Sequence, residues 1–327
     1  MNRWISESRD PSHRPSLSDF REASIRLRGV ALHTPLMPLR RYKEVDTEIL
    51  LKPEVLQPVG SYKIRGVYNW VARLSPEERS RGISTLSSGN MAQAVGYVAN
   101  IFNVPARVAI VDTAPKYKIE ATKKYGAEVD LISGDAFQSY VEHPPHDYSL
   151  IHPFGEYGLM DGYGTIGMEI VEDEPDVDTI FVPVGAGFLA SGISLAAKAL
   201  KPDVRVIGVN AENCPHYFNF LENGGSKVYD YKPTLADGIA GKVFPSNELY
   251  ELVRETIDRV VVVSEAEIAR AIRFLALENK LVTEGAGAIS LAAALAMPKE
   301  ERGKSVCILS GGSIDVEKLA HILLDEG

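Results

Sequence analysis

The sequence predicts an α/β protein built on two open, twisted, mostly parallel sheets with flanking helices, and three observations support that expectation. A chain of 327 residues exceeds what one small hydrophobic core organises. From about Ile83 onward, short β-branched runs alternate with helix-like stretches, which is the pattern of βαβ units. Glycine- and serine-rich segments fall where strands would end and helices begin, and open parallel sheets bind ligands there.

The elements follow in order. Ile83 to Leu86 reads as a strand and the stretch from about Met91 as a helix. Ala106 to Val111 is a strand and Lys116 to Tyr125 a helix, which Gly126 stops before Glu128 to Ile132 returns as a strand. After the connection His143-Pro144-Pro145-His146 the alternation resumes: Thr179 to Pro183 as strand, Ala190 to Leu200 as helix, Val204 to Val209 as strand. Ser264 with Glu267 forms a capping box for a helix running to about Glu278. Val306 to Leu309 is a last buried strand. This order assigns residues 84–155 to a small domain and residues 1–83 with 156–327 to a large one. Met1 to Phe20 reads as a polar N-terminal arm without the apolar segment of a signal peptide.

Composition narrows the function classes. A net charge of -9 with no basic run argues against nucleic acid and anionic membrane as partners. No stretch approaches the ~18 apolar residues of a membrane span. Cys214 and Cys307 are too few for a disulfide framework and lack metal-ligand partners at a recognisable spacing. A cytoplasmic protein acting on a small molecule is expected.

Three segments sit just after strands or open helices. Gly185-Ala186-Gly187 follows a strand and precedes a helix, so its backbone N–H groups suit a phosphate, although a tight turn without ligand has the same composition. Ser87-Ser88-Gly89-Asn90 groups hydroxyls, an amide and backbone N–H groups at a helix start, which suits a carboxylate or a plain N-cap. Gly60-Ser61-Tyr62-Lys63-Ile64-Arg65-Gly66 holds a lysine that is ordinary surface unless burial or neighbouring cations free its amine.

Taken together, these segments resemble the serine/threonine dehydratase and serine racemase family of fold-type-II enzymes dependent on pyridoxal 5′-phosphate. The resemblance runs over nearly the whole chain. It is carried by His33-Thr34-Pro35-Leu36, Leu51-Lys52-Pro53-Glu54, the heptapeptide around Lys63, Ser87-Ser88-Gly89-Asn90-Met91-Ala92-Gln93-Ala94 and Ala121-Thr122-Lys123-Lys124-Tyr125-Gly126-Ala127. Further on come His152-Pro153-Phe154, Gly164-Thr165-Ile166, Thr234-Leu235-Ala236-Asp237-Gly238-Ile239-Ala240, Glu284-Gly285-Ala286-Gly287-Ala288 and Ser310-Gly311-Gly312-Ser313. The resemblance implies a tryptophan synthase β-like fold and a homodimer. It makes Lys63 the Schiff-base lysine, with Ser88 across the cofactor from it and Tyr62 packed on the ring. Asn90 would meet the phenolic oxygen and Ser310 the pyridine nitrogen. Gly185, Ala186, Gly187, Phe188 and Leu189 would hold the phosphate, and Ser87, Ser88, Gly89, Asn90 and Met91 the substrate carboxylate.

The implied activity is dehydration of a β-hydroxy amino acid such as threonine or serine to a 2-oxo acid and ammonia. Racemisation, with Lys63 and Ser88 as bases on opposite faces, stays open, and a non-catalytic cofactor- or amino-acid-binding protein is the reading from another class. Phe188, Met91 and Tyr163 depart from the family pattern and suggest an apolar pocket. No arginine occurs between residues 108 and 204, so that stretch has no guanidinium for a second substrate carboxylate. At the family's cation site Asn210 and His216 replace two carboxylates, with Glu212 nearby; no metal is expected. Little chain follows Ser313, so a C-terminal regulatory domain and control by a branched-chain amino acid are not expected.

Overall fold

A computed structural model describes residues 3–41, 44–143, 147–222, 230, 232–240 and 247–324. The Pro144-Pro145-His146 part of the predicted connection lies outside them. Ten strands are described: β1 (Met37–Arg41), β2 (Glu44–Lys52), β3 (Ile83–Leu86), β4 (Ala106–Val111), β5 (Glu128–Ile132), β6 (Ser149–Ile151), β7 (Thr179–Pro183), β8 (Arg205–Ala211), β9 (Arg259–Val263) and β10 (Ser305–Ile308). They form a six-stranded sheet in the order β1-β2-β10-β7-β8-β9 and a four-stranded sheet in the order β5-β4-β3-β6. Every pairing is parallel except β1 with β2.

The parallel strands read as continuous apolar runs because helices cover both faces. All residues of β7 and β10 are buried. The helix Leu159–Asp173 packs on the helices Lys63–Arg73 and Phe188–Leu200. Its contact with the latter is close enough that a Cβ on Gly167 would lie 2.3 Å from the Ile193 carbonyl oxygen. The Ser264 capping box is present: Glu267 Oε2 accepts from Ser264 N at 2.7 Å and Ser264 Oγ accepts from Glu267 N at 3.3 Å.

Two parts differ from expectation. The N-terminal segment is no polar arm: it forms helices Arg3–Ser8 and Leu17–Leu27. Trp4 packs on Trp70 with ring centroids 5.9 Å apart, and Phe20 is fully buried. Arg9 donates to Glu156 at 3.2 Å. Trp4, Ile5, Phe20, Ala23 and Leu27 are buried and dock it, although its composition is polar. The hairpin β1–β2 was not predicted, because its charged residues obscure the alternation. Pro38 sits at its register irregularity on the edge strand, where a missing N–H is tolerated. Among the described residues, no helix is long and apolar enough to cross a membrane.

Candidate active site

A cavity of about 510 Å³ lies between the two sheets, at the carboxyl ends of β3, β7 and β10. It is lined by residues of every predicted site segment: Tyr62 and Lys63, Ser87 to Met91, Gly185 to Leu189, and Ser310.

Lys63 opens the helix Lys63–Arg73. The preceding Gly60-Ser61-Tyr62 pairs with Ser310-Gly311-Gly312. Tyr62 N donates to Ser310 O at 3.1 Å, Gly312 N donates to Gly60 O at 3.0 Å, and Ser61 bridges Gly311. This pairing brings Lys63 and Ser310 to one wall. Lys63 Nζ lies 4.7 Å from the Tyr62 ring centroid and 5.6 Å from that of Tyr163. Among the described residues it has no hydrogen-bond or ion-pair partner.

Below this helix lies a buried ionic network. Arg65 donates to Glu54 Oε2 at 2.8 Å and to Glu169 Oε1 at 2.6 Å. It also donates to Leu32 O at 2.8 Å. Lys52 Nζ reaches Glu169 Oε2 at 2.7 Å and Thr34 O at 2.6 Å. Burial alone would pull the Arg65 guanidinium down, but Glu54 and Glu169 hold it well above its ordinary range. The charges cancel in pairs, and the network locks the turn that presents Lys63.

From the four-stranded sheet, Ser87 N donates to Ala109 O at 3.1 Å, and Gly89 N to Ser87 Oγ at 3.2 Å. The helix Asn90–Phe102 starts at Gly89 with no side-chain cap, so its first amides stay available to a ligand. Asn90 Nδ2 donates to Glu284 Oε1 at 2.7 Å, while its buried Oδ1 has no partner among the described residues. On the opposite side, the helix Phe188–Leu200 starts at Gly187 (φ +101°), also without a side-chain cap. A Cβ there would lie 2.6 Å from Val253 Cγ2 and in a backbone region L-residues avoid. Ser310 Oγ donates to Ala286 O at 3.1 Å.

The sequence alone gives Glu284 no role, although it opens the motif Glu284-Gly285-Ala286-Gly287-Ala288. It lines the cavity, and its carboxyl is pushed up to about 7 by burial and then by Asp237, against the pull of Asn90, Lys118 and Lys63. Lys118 and Asp237 pair at 3.0 Å across the same cavity. Only the fold brings these three together, over more than a hundred residues of sequence. Of the three expected pocket residues, Met91 and Phe188 line the cavity, but Tyr163 does not. Its ring packs edge-on behind Tyr62, centroids 4.8 Å apart, where it fills the space over Gly66.

Asn210 and His216 direct their polar atoms to neighbouring backbone, described below, and Glu212 Oε1 accepts from Glu265 N at 2.8 Å. Among the described residues, no group of three or more metal-ligating side chains is assembled. Two uncapped helix starts and a lysine without an anionic partner among the described residues fit an anionic, aldehyde-bearing ring such as pyridoxal 5′-phosphate.

Residues 28–311 match the family described as "Pyridoxal-phosphate dependent enzyme". The chain is 44% identical to L-threonine ammonia-lyase of Thermotoga maritima, over 94% of this chain and 78% of that protein. It is 38% identical to the catabolic L-threonine dehydratase TdcB of Escherichia coli, over 94% and 95% respectively. Among solved structures, maize serine racemase superposes with a TM-score of 0.84 at 30% identity, covering 94% of this chain and 97% of that one.

Proposed function

The chain belongs to the pyridoxal-phosphate dependent enzyme family, and we propose that it is an ammonia-lyase of the threonine/serine dehydratase type. It removes water from a β-hydroxy amino acid and releases a 2-oxo acid and ammonia. The observation that carries this reading is the one cavity in which Lys63, the Ser87–Met91 loop, the Gly185–Leu189 turn and Ser310 meet. The identity to L-threonine ammonia-lyase supports the choice of reaction. Residues 84–155 are proposed as a small domain that closes the cavity, and the same resemblance supports a homodimer in the cytoplasm.

When bound, pyridoxal 5′-phosphate supplies the electron-accepting ring that acidifies the α-hydrogen of an attached amino acid. Gly185 to Leu189 hold its phosphate through backbone N–H groups at a helix start, and Tyr62 flanks its ring. Lys63 anchors it through Nζ and, released as an amine, takes the substrate's α-proton. Ser87, Ser88, Gly89, Asn90 and Met91 give the substrate carboxylate hydroxyls and N–H groups. Asn90 would meet the cofactor's phenolic oxygen, and Glu284, which accepts from Asn90 Nδ2 at 2.7 Å, would hold that amide in place. Ser310, a neutral hydroxyl that donates to Ala286 O at 3.1 Å, would bring no negative charge to the pyridine nitrogen. A ring left unprotonated in this way would be the weaker electron sink, which would favour loss of the β-hydroxyl over return of the α-proton. Met91, Phe154 and Ile314 add apolar wall, which suits the methyl of threonine better than the bare hydroxymethyl of serine.

A racemase reading is supported by the match to maize serine racemase and by Ser88 standing in the same cavity as Lys63. A panel of L- and D-threonine, L- and D-serine, 3-hydroxyaspartate and phenylserine, scored for 2-oxo acid, ammonia and inverted substrate, separates the two. Ammonia release from L-threonine faster than inversion is expected; inversion outrunning ammonia release overturns the dehydratase reading.

A further inference from the structure

Three consecutive carbonyls at the end of β7 are each held by a side chain from a single segment, residues 210–217. Val184 O accepts from Asn210 Nδ2 at 2.9 Å, Gly185 O lies 3.1 Å from His216 Nε2, and Ala186 O accepts from the Tyr217 hydroxyl at 3.0 Å. In a trans peptide the C=O and the following N–H point in opposite directions. Fixing these three oxygens therefore fixes the N–H groups of Gly185, Ala186 and Gly187 on the other side.

The holding segment is itself rigidly built. Asn210 is fully buried at the end of β8, and its Oδ1 accepts from Tyr217 N at 3.0 Å and Phe218 N at 3.1 Å. One amide thus joins the end of β7 to the start of the next helix. A carbonyl oxygen only accepts, so the contact with Gly185 O needs the proton on Nε2. Nδ1 lies 3.2 Å from Cys214 O and 3.6 Å from Cys214 Sγ, which ties the ring to its own segment. Burial lowers the affinity of this imidazole for a second proton, consistent with a neutral ring. Tyr217 is fully buried, and its hydroxyl would lie 3.0 Å from a Cβ on Gly187.

We propose that Asn210, His216 and Tyr217 are positioning residues of the phosphate cradle, holding its carbonyls back so that its amides face the cavity before a ligand arrives. The proposal rests on the reading of Gly185–Leu189 as the phosphate-binding turn. The test compares pyridoxal 5′-phosphate with pyridoxal, which lacks the phosphate, by equilibrium titration of the apoprotein. Wild type is expected to prefer the phosphorylated form by at least ~100-fold, the scale of two or more charge-assisted hydrogen bonds. Tyr217→Phe, which keeps the ring and removes one hydrogen bond, is expected to weaken pyridoxal 5′-phosphate by about 2- to 10-fold. His216→Leu leaves a buried carbonyl unpaired and should cost about 10-fold or more, with His216→Gln restoring part of it. Pyridoxal binding should be unchanged in all three. Equal losses for both ligands, or no loss in Tyr217→Phe and His216→Leu, overturn the positioning role. A wild type that does not prefer the phosphorylated form overturns the cradle reading on which it rests.

Discussion

The two sheets differ in how deeply they are packed. In the six-stranded sheet β7 is buried throughout, and the helix Gly285–Ala296 is buried over most of its length. In the four-stranded sheet the central strand β3 is buried too, but the edge strand β5 is half exposed and the helix Lys116–Lys124 buries only Thr122. Charges follow the same division. Arg65, Glu54, Lys52 and Glu169 pair in the interior of the larger unit, whereas Arg107 pairs with Asp130 at the surface of the smaller one. Polar links across the cavity include Asn90 to Glu284, Lys118 to Asp237 and Gln93 to Ser313 at 3.5 Å. The lesson is a division of labour. Most groups that would anchor the cofactor stand on the six-stranded unit, while the loop that would take the substrate carboxylate, with Asn90, stands on the four-stranded one.

The sharpest way to break this contrast is to remove one charge from the buried network. Arg65→Met leaves Glu54 and Glu169 without their guanidinium and is expected to cost ~3–5 kcal/mol of stability in denaturant titration. The same change at Arg107 should leave the midpoint where it was. Similar losses at both positions would erase the distinction between the units.

A substitution in the substrate loop should act on the reaction instead of the fold. Ser88→Ala is expected to keep the wild-type melting temperature and part of the dehydration rate, while lowering any substrate inversion by ~100-fold or more, as loss of a positioned acid or base does. Equal loss of both reactions would show that Ser88 serves substrate binding alone.

A pH-dependent effect concerns Glu284, which hydrogen-bonds Asn90 across the cavity. Its folded value of about 7 exceeds the usual 4.5, so the folded state holds a proton that the unfolded chain releases. Its contribution to stability is complete below about pH 4.5 and is lost as pH rises through 7. Relative to Glu284→Gln, wild type should lose about 1.4 kcal/mol per pH unit between pH 5 and pH 7, then level off. Parallel pH profiles for the two proteins would place Glu284 in an ordinary solvated environment.

Much of the site was legible because short motifs encode local geometry. The glycine turn after β7, the serine loop after β3 and the heptapeptide around Lys63 each lie where a strand ends or a helix begins. Distant pairings were less visible. Lys52, Glu54 and Arg65 belong to recognisable motifs, yet that they meet Glu169 in the interior depends on how the helix Leu159–Asp173 packs. Burial of such charges also runs against composition, since lysine and glutamate are surface residues by default. Tyr163 was misplaced because the sequence does not tell a ring that faces a cavity from one that supports such a ring from behind. The N-terminal helices are hard to read from sequence because charged and polar residues surround the few apolar positions that become buried, Trp4, Ile5, Phe20, Ala23 and Leu27.

The account turns on Lys63, and borohydride reduction of the protein loaded with pyridoxal 5′-phosphate tests it most directly. Reduction makes the lysine linkage permanent, and peptide mass spectrometry then locates it. The cofactor is expected on the peptide that contains Lys63, with the visible absorption band lost on reduction and absent from Lys63→Ala. Attachment to another lysine, or an unchanged band in Lys63→Ala, would contradict the site described here.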